Sequence, residues 1–361
     1  CYASPLQAHP QYTRNPRARR LAAGANARYN GATLPQKWDA PMSQCKIIVN
    51  PVANRGGGEQ AIPEIRSLLE RDGVEFDLVR TERPWHAADL AEEAVAAGYA
   101  CVVAAGGDGT ANEILNGLMR AKQAGARPAT MGVLCVGRGN DLAYGLGIPF
   151  DLDAGCRALA AGHRRRIDVG RVTGGLYPEG RYFGNGIGIG FDAVVGFEAA
   201  KLTWLHGYPS YLVAVLRTVF LYYKAPLTSI EYDGQTITQP SLLISVMNGQ
   251  RMGGGFLMAP QGQPDDGWLD LCIAREVSRT RIFGLIPHFM RGSQATQEAI
   301  RTGRTRRIVV RSLEGTLPAH ADGETLCVEG QRLAIELLAG QLEVIAAGPG
   351  PRHAPSTEDE A

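Results

Sequence analysis

In the stretch Ala105-Gly106-Gly107-Asp108-Gly109-Thr110-Ala111-Asn112, three glycines surround one aspartate. Gly106, Gly107 and Gly109 permit backbone conformations that present N–H groups to phosphate oxygens, and a helix opening just after them would add its positive end. The chemistry is phosphate binding. Asp108 disturbs it, because a bare carboxylate repels phosphate. The spacing fits neither G-x-G-x-x-G nor G-x-x-x-x-G-K-[ST]. An ordinary strand-to-helix turn is the bland alternative, with Thr110 as a candidate N-cap. A second glycine-rich segment, Gly137-Arg138-Gly139-Asn140, is followed by Asp141.

These segments need a scaffold. "CKIIVN" (45–50) and "ACVVAA" (100–105) are continuous apolar runs, as in parallel strands buried on both faces. "VEFDLVRT" (74–81) and "TMGVLCV" (130–136) are also strand-like. Helices are expected around Ile62, Ile65, Leu68 and Leu69, over 86–98, and over 111–125. This βαβαβαβ order gives an open parallel α/β sheet, whose ligands bind beyond the carboxyl ends of the strands. Both glycine-rich segments fall at that edge. From about Arg166 short strand-like runs dominate, with helical insertions near 205–223 and 279–301, so a second, mostly antiparallel β domain is expected.

Composition agrees with a globular chain: 361 residues, 45% hydrophobic, 20% charged and a net charge of +1. Residues 1–41 carry Arg14, Arg17, Arg19, Arg20, Arg28 and Lys37 against Asp39, without hydrophobic periodicity, and read as disordered. Met42 reads as the native start, with a lipoprotein acylated at Cys1 as the alternative. The expected domains are 42–165 (α/β) and 166–347 (β-rich, with a last strand that could return to the first domain), followed by a disordered tail, 348–361. Seven cysteines without C-x-x-C read as free thiols in a reducing cytoplasm. The apolar stretch 211–223 is too short to span a bilayer.

"GGDGT" is similar to the nucleotide loop of phosphofructokinases, NAD kinases and the diacylglycerol/sphingosine-type lipid kinases. The rest of the chain resembles the last of these. "NPVANRGGG" (50–58), "VGRGNDLA" (136–143), "RRIDVG" (165–170), "GFDA" (190–193), "APQGQPDDGWLDL" (259–271) and "ADGE" (321–324) follow in that family's order. The resemblance implies an NAD-kinase/phosphofructokinase-like α/β domain with ATP in the cleft beside the β domain, and Mg²⁺. Since Mg²⁺ takes oxygen ligands and keeps waters, acidic residues can face phosphate across it. Asp108, Asp141 and Asp168 match the aspartates that act in this way. Asn50, Arg55, Thr81, Gly106, Gly107, Gly109, Thr110, Ala111, Asn112, Gly137 and Asn140 match nucleotide-side positions. Arg138 stands where the family has threonine, so a hydroxyl contact would become a guanidinium contact or be lost.

The resemblance further implies a second, structural Mg²⁺ held by Asp266 with backbone oxygens of Gln263 and Trp268. It places the general base in "HADGET": Glu324 is favoured and Asp322 is its rival, because alternate residues of a strand share a face. The implied activity is transfer of the γ-phosphoryl of ATP to a lipid hydroxyl, diacylglycerol or a related lipid. The protein would be cytoplasmic and peripheral to the membrane, without nucleic-acid partners, its oligomeric state open between monomer and homodimer. The alternatives are a kinase of a soluble substrate such as NAD, and a nucleotide-binding regulator without turnover. The basic runs His163–Arg166 and Arg304–Arg307 read as solvated faces, His320 as a surface or strand residue, and Leu212, Val215, Leu216, Val219 and Phe220 as core. Met252–Met258 is a candidate acyl-chain contact.

Overall fold

The computed structural model describes residues 44–201, 213–214, 217–219 and 225–346, with side chains to 198 in the first of these segments. The expectations for 1–41, for Met42, for the tail from 348, and for Leu212, Val215, Leu216 and Phe220 lie outside the described residues. Val219 is described and buried.

Four strands form the parallel half: β1 (Cys45–Val49), β2 (Phe76–Arg80), β3 (Cys101–Gly106) and β4 (Thr130–Cys135), in the order β2-β1-β3-β4. Every residue of β3 is buried, which is why it reads as an unbroken apolar run. Helices cover both faces. Ile62, Ile65 and Leu69 of α1 (Gly57–Arg71), with Leu159 of α5 (Leu152–Ala161), pack against Ile47, Val103 and Leu134. On the other face Leu90 of α2 (His86–Ala96) and Ile114, Leu115 and Leu118 of α3 (Asp108–Gln123) cover Ile48, Val102 and Met131. A short helix, α4 (Asp141–Gly145), follows the second glycine-rich segment.

The antiparallel half begins with β5 (Arg164–Gly174), β6 (Tyr177–Phe183), β7 (Gly186–Gly190) and α6 (Phe191–Lys201). It continues with β8 (Leu227–Tyr232), β9 (Gln235–Met247), β10 (Leu269–Arg275), α7 (Arg279–Arg291) and β11 (Ile300–Thr305). The last strands are β12 (Arg307–Glu314), β13 (Leu317–Ala321), β14 (Glu324–Gly330) and β15 (Arg332–Ile345). β9 pairs with β8 through 235–240, then with β7 and β10 through 241–247, so it links two sheets around one core of Phe183, Ile187, Ile244, Val310 and Leu333. β15 pairs with β12, then β5, and at Val344 with Met131 of β4. One hydrogen-bonded network therefore runs from the parallel edge to the β13–β14 hairpin.

Two expectations change. Helix α3 starts at Asp108, three residues earlier than 111, with Gly107 as its N-cap and Thr110 inside the first turn. The α-helix of segment 279–301 stops at Arg291, one 3-10 turn follows at Gln294–Thr296, and the segment ends in strand β11, whose Arg301, Gly303 and Arg304 gave no apolar signal.

Candidate active site

The candidate residues of the first half line one edge of the parallel sheet. Thr81, Asn50 and Gly137 follow the carboxyl ends of β2, β1 and β4, and Gly106 is the last residue of β3, tied by Thr81 N to Val49 O (2.8 Å), Asn50 N to Ala105 O (3.0 Å) and Gly137 N to Gly106 O (2.9 Å). Asn54, Arg55 and Gly56 hold left-handed φ of 48, 60 and 92° and turn the chain into α1. Arg55 is exposed there.

The two glycine-rich loops touch backbone to backbone. A β-carbon on Gly137 would collide with Cα of Gly107, and one on Gly139 would lie 2.7 Å from Asp108 Oδ2. No side chain caps the N-terminus of α3 at Gly107, so its first turn has no side-chain cap of its own. Thr110 is buried beneath, where its hydroxyl accepts from Asn50 Nδ2 (3.1 Å). Ala111 is buried in the helix. Asn112 is buried too, and its amide is consumed by Tyr182 O, Asp322 Oδ2 (2.8 Å) and Arg181 Nη2 (2.7 Å), so it braces the site from behind instead of meeting a ligand. Arg181 is itself buried against the Trp85 and Tyr177 rings. Glu113 accepts from the N–H groups of Trp85 and Ala87 and so caps α2.

Asp108 Oδ1 accepts from Leu142 N (3.1 Å), supplying from across the cleft the cap that Asn140, left-handed at φ 52°, does not provide to α4. Burial and the nearby Asp322 raise the Asp108 pKa. Asp141 is pushed up to about 7 by burial and by Asp108, against the pull of Arg251. Two desolvated carboxylates, both shifted upward, beside a glycine cradle and a helix N-terminus without a side-chain cap, suit a phosphate accompanied by a divalent cation. Arg138 is exposed on the same loop, and its guanidinium has no hydrogen-bond or ion-pair partner among the described residues.

The two carboxylates of "HADGET" separate sharply. Asp322 and Gly323, at φ 47 and 84°, form the two-residue turn of the β13–β14 hairpin, so strand alternation does not put Asp322 and Glu324 on one face. Asp322 is buried and both its oxygens are taken. Oδ1 accepts from Asn185 N and Gly186 N (3.0 and 2.9 Å), and Oδ2 from Gly184 N and Asn112 Nδ2 (both 2.8 Å). Glu324 is exposed, with Oε1 only 2.8 Å from where a β-carbon on Gly109 would sit. It is the carboxylate that reaches the first turn of α3.

Asp168 stands apart. Its oxygens accept from Gly267 N and Gly340 N (both 2.7 Å), pinning the 264–267 loop to β15. In that loop Asp266 accepts from Trp268 N (3.0 Å) and pairs with Arg304 (3.2 Å), which also pairs with Asp270 (2.9 Å). Arg306 donates to Gly267 O (3.1 Å) and lies over the Trp268 ring. Gln263 is exposed. Among the described residues no cluster of three or more acidic, His or Cys side chains forms here. Asp266, the carboxylate that the resemblance assigns to a structural Mg²⁺, is paired with Arg304. The run 304–307 is thus partly a paired clamp, and in 163–166 Arg164 pairs with Glu343 and Arg165 with Asp265.

Beyond the hairpin lies an apolar pocket of about 560 Å³, open mouth included, lined by Phe191, Leu242, Met252, Phe256 and Phe289, with Asp192 as the one charged residue among the described lining residues. Asp192 and His320 both press on Gly188, where a β-carbon would collide with Asp192 Oδ2 and with His320 Nε2. Burial raises Asp192 to about 7 and lowers His320 to about 4. His320 is therefore not a surface residue. Arg251, which the sequence reading passed over, reaches both Asp141 and Gly139. Its only sequence signal was a position between β9 and a triple glycine.

Two family models match: the diacylglycerol kinase catalytic domain over 44–172 and the YegS C-terminal NAD kinase beta sandwich-like domain over 185–346. A Pseudomonas aeruginosa protein named "Probable lipid kinase YegS-like" is 30% identical over 88% of this chain and 100% of its own. A Mycobacterium tuberculosis diacylglycerol kinase is 27% identical over 78% of this chain and 88% of its own. The crystal structure of a diacylglycerol kinase from Bacillus anthracis covers 84% of this chain and 97% of its own with a TM-score of 0.64 at 22% identity, a likeness of fold. With both halves matched in order and a relative aligned from end to end, the chain belongs to the diacylglycerol-kinase-like lipid kinase family, and it is a kinase.

Proposed function

We propose that this kinase transfers the γ-phosphoryl group of ATP to the hydroxyl of an apolar lipid, diacylglycerol or a close relative. One observation carries the reading: Glu324 lies against Gly109 in the first turn of α3, on the hairpin whose preceding strand brings His320 to Asp192 beside the apolar pocket. A base, a phosphate cradle and a greasy cavity with one polar contact are thereby joined through a single turn.

Bound Mg²⁺·ATP would supply the transferable phosphoryl group and charge neutralisation. The N–H groups at the start of α3 and the Arg138 guanidinium orient phosphate oxygens. Asp108 and Asp141 are the residues that would hold the cation. Glu324 accepts the proton of the lipid hydroxyl as its oxygen attacks phosphorus, and Asp322 fixes the turn that aims Glu324. Asp192 accepts a hydrogen bond from the lipid's polar part while the pocket takes the chain. Met252 and Met258, adaptable side chains, lie on the pocket wall.

The test is a radiolabelled-ATP assay on dioctanoylglycerol, a mixed lipid extract and NAD, with the product identified by mass spectrometry. A labelled phospholipid supports the reading. Label in NAD alone, or in no acceptor, sinks it.

A further inference from the structure

The segment between β9 and β10 touches both halves of the site. Arg251 grips the second glycine-rich loop in three ways. Its Nε is 2.9 Å from Asp141 Oδ1, its Nη2 donates to Gly139 O at 2.8 Å, and its guanidinium lies over the Tyr144 and Phe150 rings at 4.1 and 5.1 Å. The pair is nearly dry, with side-chain exposures of 12 and 10%. Gly254 N adds a bond of 3.1 Å to each Asp141 oxygen, and the Arg251 carbonyl is fixed by Asn185 Nδ2 at 2.9 Å.

The very next residue faces the other way. Met252, Phe256 and Met258 are pocket wall. Met252 and Phe256 exchange backbone hydrogen bonds of 2.8 and 3.1 Å, closing a turn through Gly253 and Gly254 at φ 64 and 76°. A chain entering the pocket would meet Met252 and Phe256, which this turn ties to Arg251 and Gly254 and, through their hydrogen bonds, to Gly139 and Asp141.

We propose that Arg251 is a positioning residue that couples occupancy of the acceptor pocket to the geometry of the nucleotide-side loop. The inference rests on the kinase reading above. The coupling depends on the guanidinium fork and its stacking, which the point charge of lysine does not reproduce.

The experiment measures affinity of the full chain for a fluorescent non-hydrolysable ATP analogue with Mg²⁺. The pocket is filled in two ways: with dioctanoylglycerol in mixed micelles, and by Leu285→Trp, a substitution on the pocket wall. In the parent chain either filling changes analogue affinity about fivefold or more. With Arg251→Gln or Arg251→Lys the change falls below about 1.5-fold, and KM for ATP ceases to depend on lipid concentration. Thermal melts establish that each variant is folded. A full shift retained in both variants overturns the proposal, as does a parent chain that responds to neither filling. A response to Leu285→Trp but not to dioctanoylglycerol upholds the coupling and instead corrects the lipid class. An analogue that fails to bind the parent chain overturns the kinase reading and this inference together.

Discussion

Glu324 and Asp322 stand two residues apart and do opposite work. Glu324→Gln removes the proposed base from an exposed position, so kcat should fall by about 10² or more while the melting temperature holds. Asp322→Asn takes acceptors from buried N–H groups and costs about 2–3 kcal/mol of stability. Activity and thermal melts on both variants separate the roles, and a fully active Glu324→Gln removes the base assignment. Asp192 and His320 give a second test. The His320 pKa falls from 6.5 to about 4 on folding, which alone would make stability rise with pH across that window. Asp192 rises from 3.8 to about 7, which alone would make stability fall as pH increases. Between pH 4 and 6.5 the folded pair and the unfolded pair each hold one proton, so the two slopes cancel. Asp192→Asn should unmask a gain with pH of as much as about 3 kcal/mol, and His320→Gln a loss of similar size. Denaturant titrations at pH 4.5 and 6.5 check this, and flat profiles in both variants contradict it.

At the scale of elements, the parallel half was legible because its strands are buried on both faces and its helices carry one apolar stripe. The glycine loops were legible because a close backbone approach, as between Gly107 and Gly137, admits no side chain. Strand β11 was not, since only its first and last residues are buried and its arginines are exposed. Nor was the burial of Asn112, whose partners lie about seventy and more than two hundred residues away in sequence. In the 264–267 loop arginine already meets the carboxylate that the resemblance assigns to a metal. With Arg304 between Asp266 and Asp270, a chelator should leave the melting temperature of the ligand-free protein unchanged. Arg304→Ala should lower it by about 2–4 °C. Scanning calorimetry with and without EDTA decides, and an EDTA-sensitive melt would restore a metal to the loop.

Over the whole molecule, β15 contributes residues to three hydrophobic clusters and pairs in turn with β12, β5 and β4. A chain ending at Gly340 loses the segment that pairs with Ile167, Arg166, Arg165, Arg164 and Met131. It leaves the edge of β4 bare, and should appear as aggregate on size exclusion. A soluble monomer of normal melting temperature would show that this segment is dispensable.

That strand also sets a timetable for synthesis. The parallel half is made early, yet the neighbour of β4 is some two hundred residues further along the chain. On the ribosome, β4 waits with an open edge while some two hundred residues are added, at about 5–20 per second. For those seconds the nascent chain is adhesive, and a chaperone that shields an apolar strand edge has its best chance to raise the yield.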